Sequence, residues 1–134
     1  MSTRCQLAVY ENENDEIESA KCFLYRHSDG YPDGEHGVVD QILPFLEQFN
    51  KDRGLGDTSY ALARLTGHLT NLHPGVTGYG IDEMLHGDIE YFYHISPKLL
   101  KVIKVTLTSS YQVKSPKNWE VVETHIICKV PQTA

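Results

Sequence analysis

Between residues 38 and 72 the apolar side chains recur at helical spacing in two successive blocks. Val38, Ile42, Phe45 and Phe49, joined by Leu46, form the first stripe, which runs on to Lys51. Leu62, Leu65, Leu69 and Leu72 form the second. Residues three and four apart share one side of a helix, so each block reads as an amphipathic helix. Gly54-Leu55-Gly56 stops the first, and Asp57, followed by Thr58 and Ser59, offers an N-cap to the second. So short a connection makes the two helices antiparallel neighbours. Pro44 fits this pattern if the first helix starts near Asp40 or kinks at the proline.

The flanking runs have another period. Residues 4–10 (RCQLAVY) alternate, with Cys5, Leu7 and Val9 on one face, and residues 20–27 (AKCFLYRH) have a continuous apolar centre suited to an interior strand. The polar stretch 11–18 (ENENDEIE) joins them as a hairpin loop. Residues 88–95 (DIEYFYHI) place Ile89, Tyr91, Tyr93 and Ile95 on one side, and residues 99–108 and 119–130 complete the strands. Residues 73–87 (HPGVTGYGIDEMLHG) hold too many apolar side chains for disorder and read as an ordered, packed loop. The expectation is a single α+β domain over residues 1–134: a mainly antiparallel five-stranded sheet in the order β-β-α-α-β-β-β, with two helices packed on one face. Val121, Ile127, Ile103 and Val105 alternate with Val122, Ile126, Leu100 and Val102, so the last two strands are apolar on both sides. A homo-oligomer, most simply a dimer, through the open sheet face is therefore expected.

Charge narrows the partners. The net charge is −6, but residues 1–96 carry six Lys/Arg against sixteen Asp/Glu, and residues 97–134 carry six Lys against two Glu. An acidic body repels polyanions, which excludes bulk nucleic-acid binding. The set Lys98, Lys101, Lys104, Lys114, Lys117 and Lys129 is spread along strands and reads as solubility and edge protection. Cys5, Cys22 and Cys128 are odd in number and lack a CxxC pair, which argues against a disulfide framework and a structural zinc site. No apolar run approaches the length of a membrane span and no signal peptide is legible, so a cytoplasmic location is expected.

Chemistry-bearing residues gather in two stretches. In Tyr25-Arg26-His27-Ser28-Asp29, strand alternation sets Tyr25 and His27 on one face and Arg26 on the other, where a guanidinium suits a carboxylate or phosphate. An HxD pattern occurs at His27-Ser28-Asp29 and again at His86-Gly87-Asp88, with Glu90 two residues on. These residues suit metal ligation or acid–base work, although HExxH and HxHxDH are absent. Tyr60, Arg64 and His68 make a polar stripe on the second helix, either a half-exposed flank or one wall of a pocket that the Gly78-Tyr79-Gly80 loop completes. Tyr31, Tyr79 and Tyr91 can supply stacking surface and hydroxyls. The glycine loop has neither GxGxxG nor GK[ST] spacing, and no nucleophile elbow or activated thiolate context is present.

The segments YRHSDGYP (residues 25–32), GYG (78–80) and HGDIEY (86–91) together resemble a family of small bacterial and bacteriophage proteins that carries a YRHxDGYP … GYG … HGDIEY pattern. The resemblance covers most of the chain and implies kinship without an activity. The chain departs from the pattern by Ser28, where a Trp is expected, and by the additional residues 33–37.

These readings converge on a candidate ligand site made of Tyr25, Arg26, His27, Asp29, Tyr31, Arg64, His68, Tyr79, His86, Asp88 and Glu90, with no cofactor or metal assigned. The expected function is a non-enzymatic module binding a small anionic ligand or a protein partner. A metal-assisted or acid–base hydrolase using His27, Asp29, His86, Asp88 and Glu90 is one alternative, and a purely structural assembly protein is another.

Overall fold

The computed structural model describes residues 3–12, 14–16, 19–20, 22–27, 30–34, 37–73, 78–85, 89–105 and 119–127. Its elements run β1 (Cys5–Val9), β2 (Phe23–Arg26), α1 (Val38–Asp52), α2 (Thr58–Leu72), β3 (Tyr79–Asp82), β4 (Tyr91–Ile95), β5 (Leu99–Lys104) and β6 (Glu120–Ile126). The fold is α+β, as the alternation of periods implies, but the sheet has six strands in the order β3-β2-β1-β4-β5-β6. It is mixed rather than antiparallel: β1 and β4 pair in parallel, and the other neighbours pair antiparallel.

Both departures have one origin. Part of the stretch expected to be a loop is β3, which pairs with β2 through Arg26↔Tyr79 and Phe23↔Asp82. Two glycine-flanked apolar residues carry too little pattern to announce an edge strand. Once β3 lies beside β2, the remaining chain adds on the far side of β1, and a parallel neighbour requires a crossover along the sheet. The segment after β3 supplies that crossover over the face opposite the helices. Gln6 donates its side-chain N–H to the Met84 carbonyl at 3.0 Å, and Leu85 and Ile89 pack into the apolar cluster there.

The helices cover one face, on which Val38, Ile42 and Leu46 of α1 and Ala61, Leu65 and Leu69 of α2 meet Leu7, Val9, Leu24, Tyr93, Ile95 and Val102 of the sheet. Each fully buried aliphatic side chain here contributes about 1.5–3 kcal/mol. α1 starts at Val38, ahead of Asp40, because the N–H groups of Val38 and Val39 donate to the carbonyls of Tyr31 and Pro32. Asp57 stands at the N-cap of α2 without capping it, since its carboxylate binds Arg53 at 3.1 Å instead. Leu72, expected in the buried stripe, is exposed, and Ala61 takes a place in it.

Much of the second face, over β1, β2, β4 and β5, is covered. Ala8, Tyr10, Phe23, Phe92 and Ile103 are buried there, with Ala20, Leu85 and Trp119 packed against them. Short connecting segments of the same chain cover this part of the face, while Val121, Val122 and Ile126 of β6 stay exposed beyond it. The lysines are corrected as edge guards, since Lys101 and Lys104 lie on β5, an interior strand. Lys114, Lys117 and Lys129 lie outside the described residues. Among the described residues no helix is long and apolar enough to cross a membrane.

Candidate functional site

One end of the sheet carries a row of residues in register across all six strands. Tyr79 pairs with Arg26, Arg26 with Cys5, Cys5 with Tyr91, Tyr91 with Lys104, and Lys104 with Glu120. Strands lie about 4.8 Å apart, so Arg26 and Tyr91 are separated by about 10 Å across Cys5. Arg26 and Tyr91, one from each polar stretch of the sequence, are therefore at the same end of the sheet, with one strand between them.

Arg26 is 4 % exposed and reaches toward α1. Its Nη1 donates to Gln41 Oε1 at 3.1 Å and to the Tyr79 hydroxyl at 3.3 Å, and its guanidinium carbon lies 5.1 Å from the centre of the Tyr79 ring. His73 Nε2 is 3.2 Å from the same Gln41 Oε1, and the His73 and Tyr79 rings are 5.7 Å apart. His68 donates from Nε2 to the Gln41 backbone carbonyl at 2.8 Å and stacks on Phe45 at 4.8 Å. Gln41 thus ties α1 to β2 and to α2 through one side chain and one carbonyl, and Arg26 carries the link on to Tyr79 of β3. Burial, partly opposed by the Arg26 guanidinium, pushes the Cys5 thiol up to about 12, so Cys5 is packing material rather than a nucleophile. Burial likewise raises the Tyr79 hydroxyl, which stays protonated and able to donate as well as accept. Farther along the row, Lys104 Nζ sits 4.5 Å above the Tyr91 ring.

The corner after β2 is strapped to the sheet. Gly30 donates its N–H to the Thr3 carbonyl at 2.9 Å, and its own carbonyl accepts from the Tyr93 hydroxyl at 2.6 Å. A Cβ on Gly30 would lie 2.8 Å from the Thr3 oxygen and 2.9 Å from Cys5 Cβ, so only glycine fits. Gly37 is equally enclosed, with Asp33 Cα and the Pro32 carbonyl 2.6 Å from the position of a Cβ.

The sequence-nominated residues divide between the two faces. Arg26, Tyr79 and His68 come together on the helix side through Gln41. Tyr25 and His27 lie on the other side, where His27 Nδ1 accepts from the Tyr25 hydroxyl at 3.0 Å and from Arg4 Nε at 3.3 Å. Tyr31 and Arg64 are exposed, and Glu90 is half-buried, its backbone N–H donating to the Arg4 carbonyl at 2.9 Å. Tyr60 is exposed beneath the Arg53 guanidinium, 3.9 Å from its ring centre, so the Tyr60–Arg64–His68 stripe does not act as one wall. Asp29, His86 and Asp88 lie outside the described residues. Among the described residues no three His, Cys, Asp or Glu side chains gather as metal ligands.

Gln41, His73 and Lys104 were not singled out from the sequence. Gln41 had a usable signal, a long amide beside Val38 and Ile42 on the buried side of α1. Lys104 had none, because its place depends on strand register. A separate recess of about 260 Å³, lined by Val9, Tyr10, Glu11, Asn12, Asp15, Ser19 and Thr58, opens at the far end of β1. Comparison with protein-family models, with curated proteins and with solved structures gives no significant match to this chain.

Proposed function

We propose that the protein is a non-enzymatic, cytoplasmic binding module whose site is the end of the sheet marked by Tyr79, Arg26, Cys5, Tyr91 and Lys104, and that its ligand is a small anion. The observation that carries this reading is the pair of ring-backed cations on one row: Arg26 on Tyr79 and Lys104 on Tyr91. A cation over an aromatic face is held in a defined place without losing its charge. The exposed Lys104 can meet a carboxylate or phosphate directly, and the buried Arg26 adds its positive potential from behind. His27 and Glu90, from the two stretches where the sequence concentrates its polar residues, directly follow Arg26 and directly precede Tyr91 of this row, respectively. The acidic balance of residues 1–96 favours a compact anion over a polymer. Kinship with the small bacterial and phage proteins sharing the YRHxDGYP pattern belongs to the same proposal and adds no chemistry to it.

Native mass spectrometry of freshly purified protein, followed by calorimetric titration with inorganic phosphate, a nucleoside monophosphate and a dicarboxylate, tests the reading. At least one probe is expected to bind, and Lys104→Ala, a change at an exposed side chain, is expected to weaken it several-fold. Failure of all three at millimolar concentration, or stoichiometric zinc or manganese in the native spectrum, overturns it; the metal result would favour the hydrolase alternative.

A further inference from the structure

We propose that β6 is a self-pairing edge through which two copies of this chain join their sheets, an interaction that goes beyond the ligand site and does not depend on it. Among the described residues β6 has a neighbour on one side only, and it carries three of the exposed large apolar side chains: Val121 at 51 %, Val122 at 45 % and Ile126 at 57 %. Residues 119–127 contain no Lys or Pro, the usual devices that blunt an edge.

The backbone pattern says which groups are offered. Ile127 donates its N–H to the Lys98 carbonyl, and Ile126 lies opposite Leu99 and Thr124 opposite Lys101. Antiparallel pairs alternate between hydrogen-bonded and non-hydrogen-bonded, so Thr124 and Ile126 turn their N–H and C=O groups away from β5. The register shift at Val102/Ile103 makes Val122 the extra residue of a bulge near the start of β6 and leaves Glu123–Ile126 in regular register with β5.

An antiparallel pairing about a two-fold axis at Thr124 is self-complementary. Thr124 meets Thr124, and Val122 meets Ile126 twice on the face turned from the helices. On the helix side Glu123 of one copy meets His125 of the other, also twice, a carboxylate against an imidazole, groups that already associate within one chain through His125 Nε2 at 2.9 Å. Cross-strand pairs of this kind, polar with polar and apolar with apolar, are what stabilise a sheet. A two-fold operation closes after two copies, whereas pairing β6 with the other edge, β3, would run on into filaments.

Sedimentation velocity of the full chain across a dilution series tests this. The wild type is expected to shift from monomer to dimer with concentration, with nothing larger. Thr124→Pro deletes an outward N–H without touching the β5 ladder and is expected to leave a monomer at every concentration. Ile126→Lys, at an exposed site, is expected to do the same, and unchanged circular dichroism and melting in both variants identify the loss as one of association. A wild type monomeric throughout, a dimer that both folded variants retain, or assembly beyond the dimer overturns the proposal.

Discussion

His94 lies flat against Tyr10, with ring centroids 4.0 Å apart and planes inclined by 12°. Both are buried, and His94 Nε2 donates to the Asp15 carbonyl at 3.2 Å, which ties the loop after β1 to β4. That bond fixes the proton on Nε2 and leaves Nδ1 as a buried lone pair with no hydrogen-bond partner. A second proton there would have only the residue's own backbone to meet. Burial first, and the charge of Lys101 opposite it on β5, lower its affinity for that proton; the Asp15 carbonyl and carboxylate oppose them.

The sign of the pH effect follows. In the unfolded chain the imidazole titrates near its ordinary 6.5, and in the folded chain it titrates lower. Above the ordinary value neither state is charged, and this group leaves stability unchanged. Below it the unfolded chain takes up the proton first, so stability falls as pH falls, until the folded state titrates as well. One proton sets a ceiling of about 1.4 kcal/mol per pH unit on that slope. Urea midpoints between about pH 7 and pH 5 should show this limb in the wild type and a shallower one in His94→Phe, which keeps a ring against Tyr10. Equal slopes would remove His94 as the source.

Arg26, Gln41 and Tyr79 should behave as a unit. Tyr79→Phe keeps the ring beneath the guanidinium and removes one hydrogen bond, a loss of about 1 kcal/mol. Arg26→Met leaves the Gln41 and Tyr79 oxygens short of a donor and should cost about 2–3 kcal/mol. Because Gln41 also meets His73, the pair Gln41→Ala and Tyr79→Phe should be non-additive by roughly 0.5 kcal/mol or more in a double-mutant cycle of denaturation free energies. Simple additivity would mean the cluster does not act together.

The strap at Gly30 makes a sharper contrast. Gly30→Ala forces a methyl against the Thr3 carbonyl and Cys5 and should cost about 1–3 kcal/mol. Tyr93→Phe, which removes only the bond to the Gly30 carbonyl, should cost about 1 kcal/mol. Gly80→Ala meets nothing within 4 Å and should be neutral or slightly stabilising in the same melts. Equal losses at Gly30 and Gly80 would contradict the packing described here.

Some of this architecture was legible in the residues. The leucines of α2 and the Val38–Ile42–Leu46 stripe declared their helices, because a helix face repeats within one local segment. The alternation of Cys5, Leu7 and Val9 declared β1, and the pairing of β1 with β2 followed from their proximity in the chain. β3 was hidden, since Tyr79 and Ile81 set among glycines show little periodicity and the strand exists through its ladder with β2. Arg26 was nominated as a site residue, but its partners Gln41 and His73 come from other elements, and no spacing along the chain links them.

The sequence by itself determined the periods, and with them the two helices, most of the strands and the polar density on either side of the sheet end. Those properties depend on residues a few positions apart. Tertiary structure alone decided that β1 and β4 run parallel, that segments outside the strands cover the second face over β1, β2 and β4, and that Tyr79, Arg26, Cys5, Tyr91 and Lys104 stand in one row. Each of these depends on which strands become neighbours. That choice is made by competing ways of burying the same apolar surface, and no single segment encodes it.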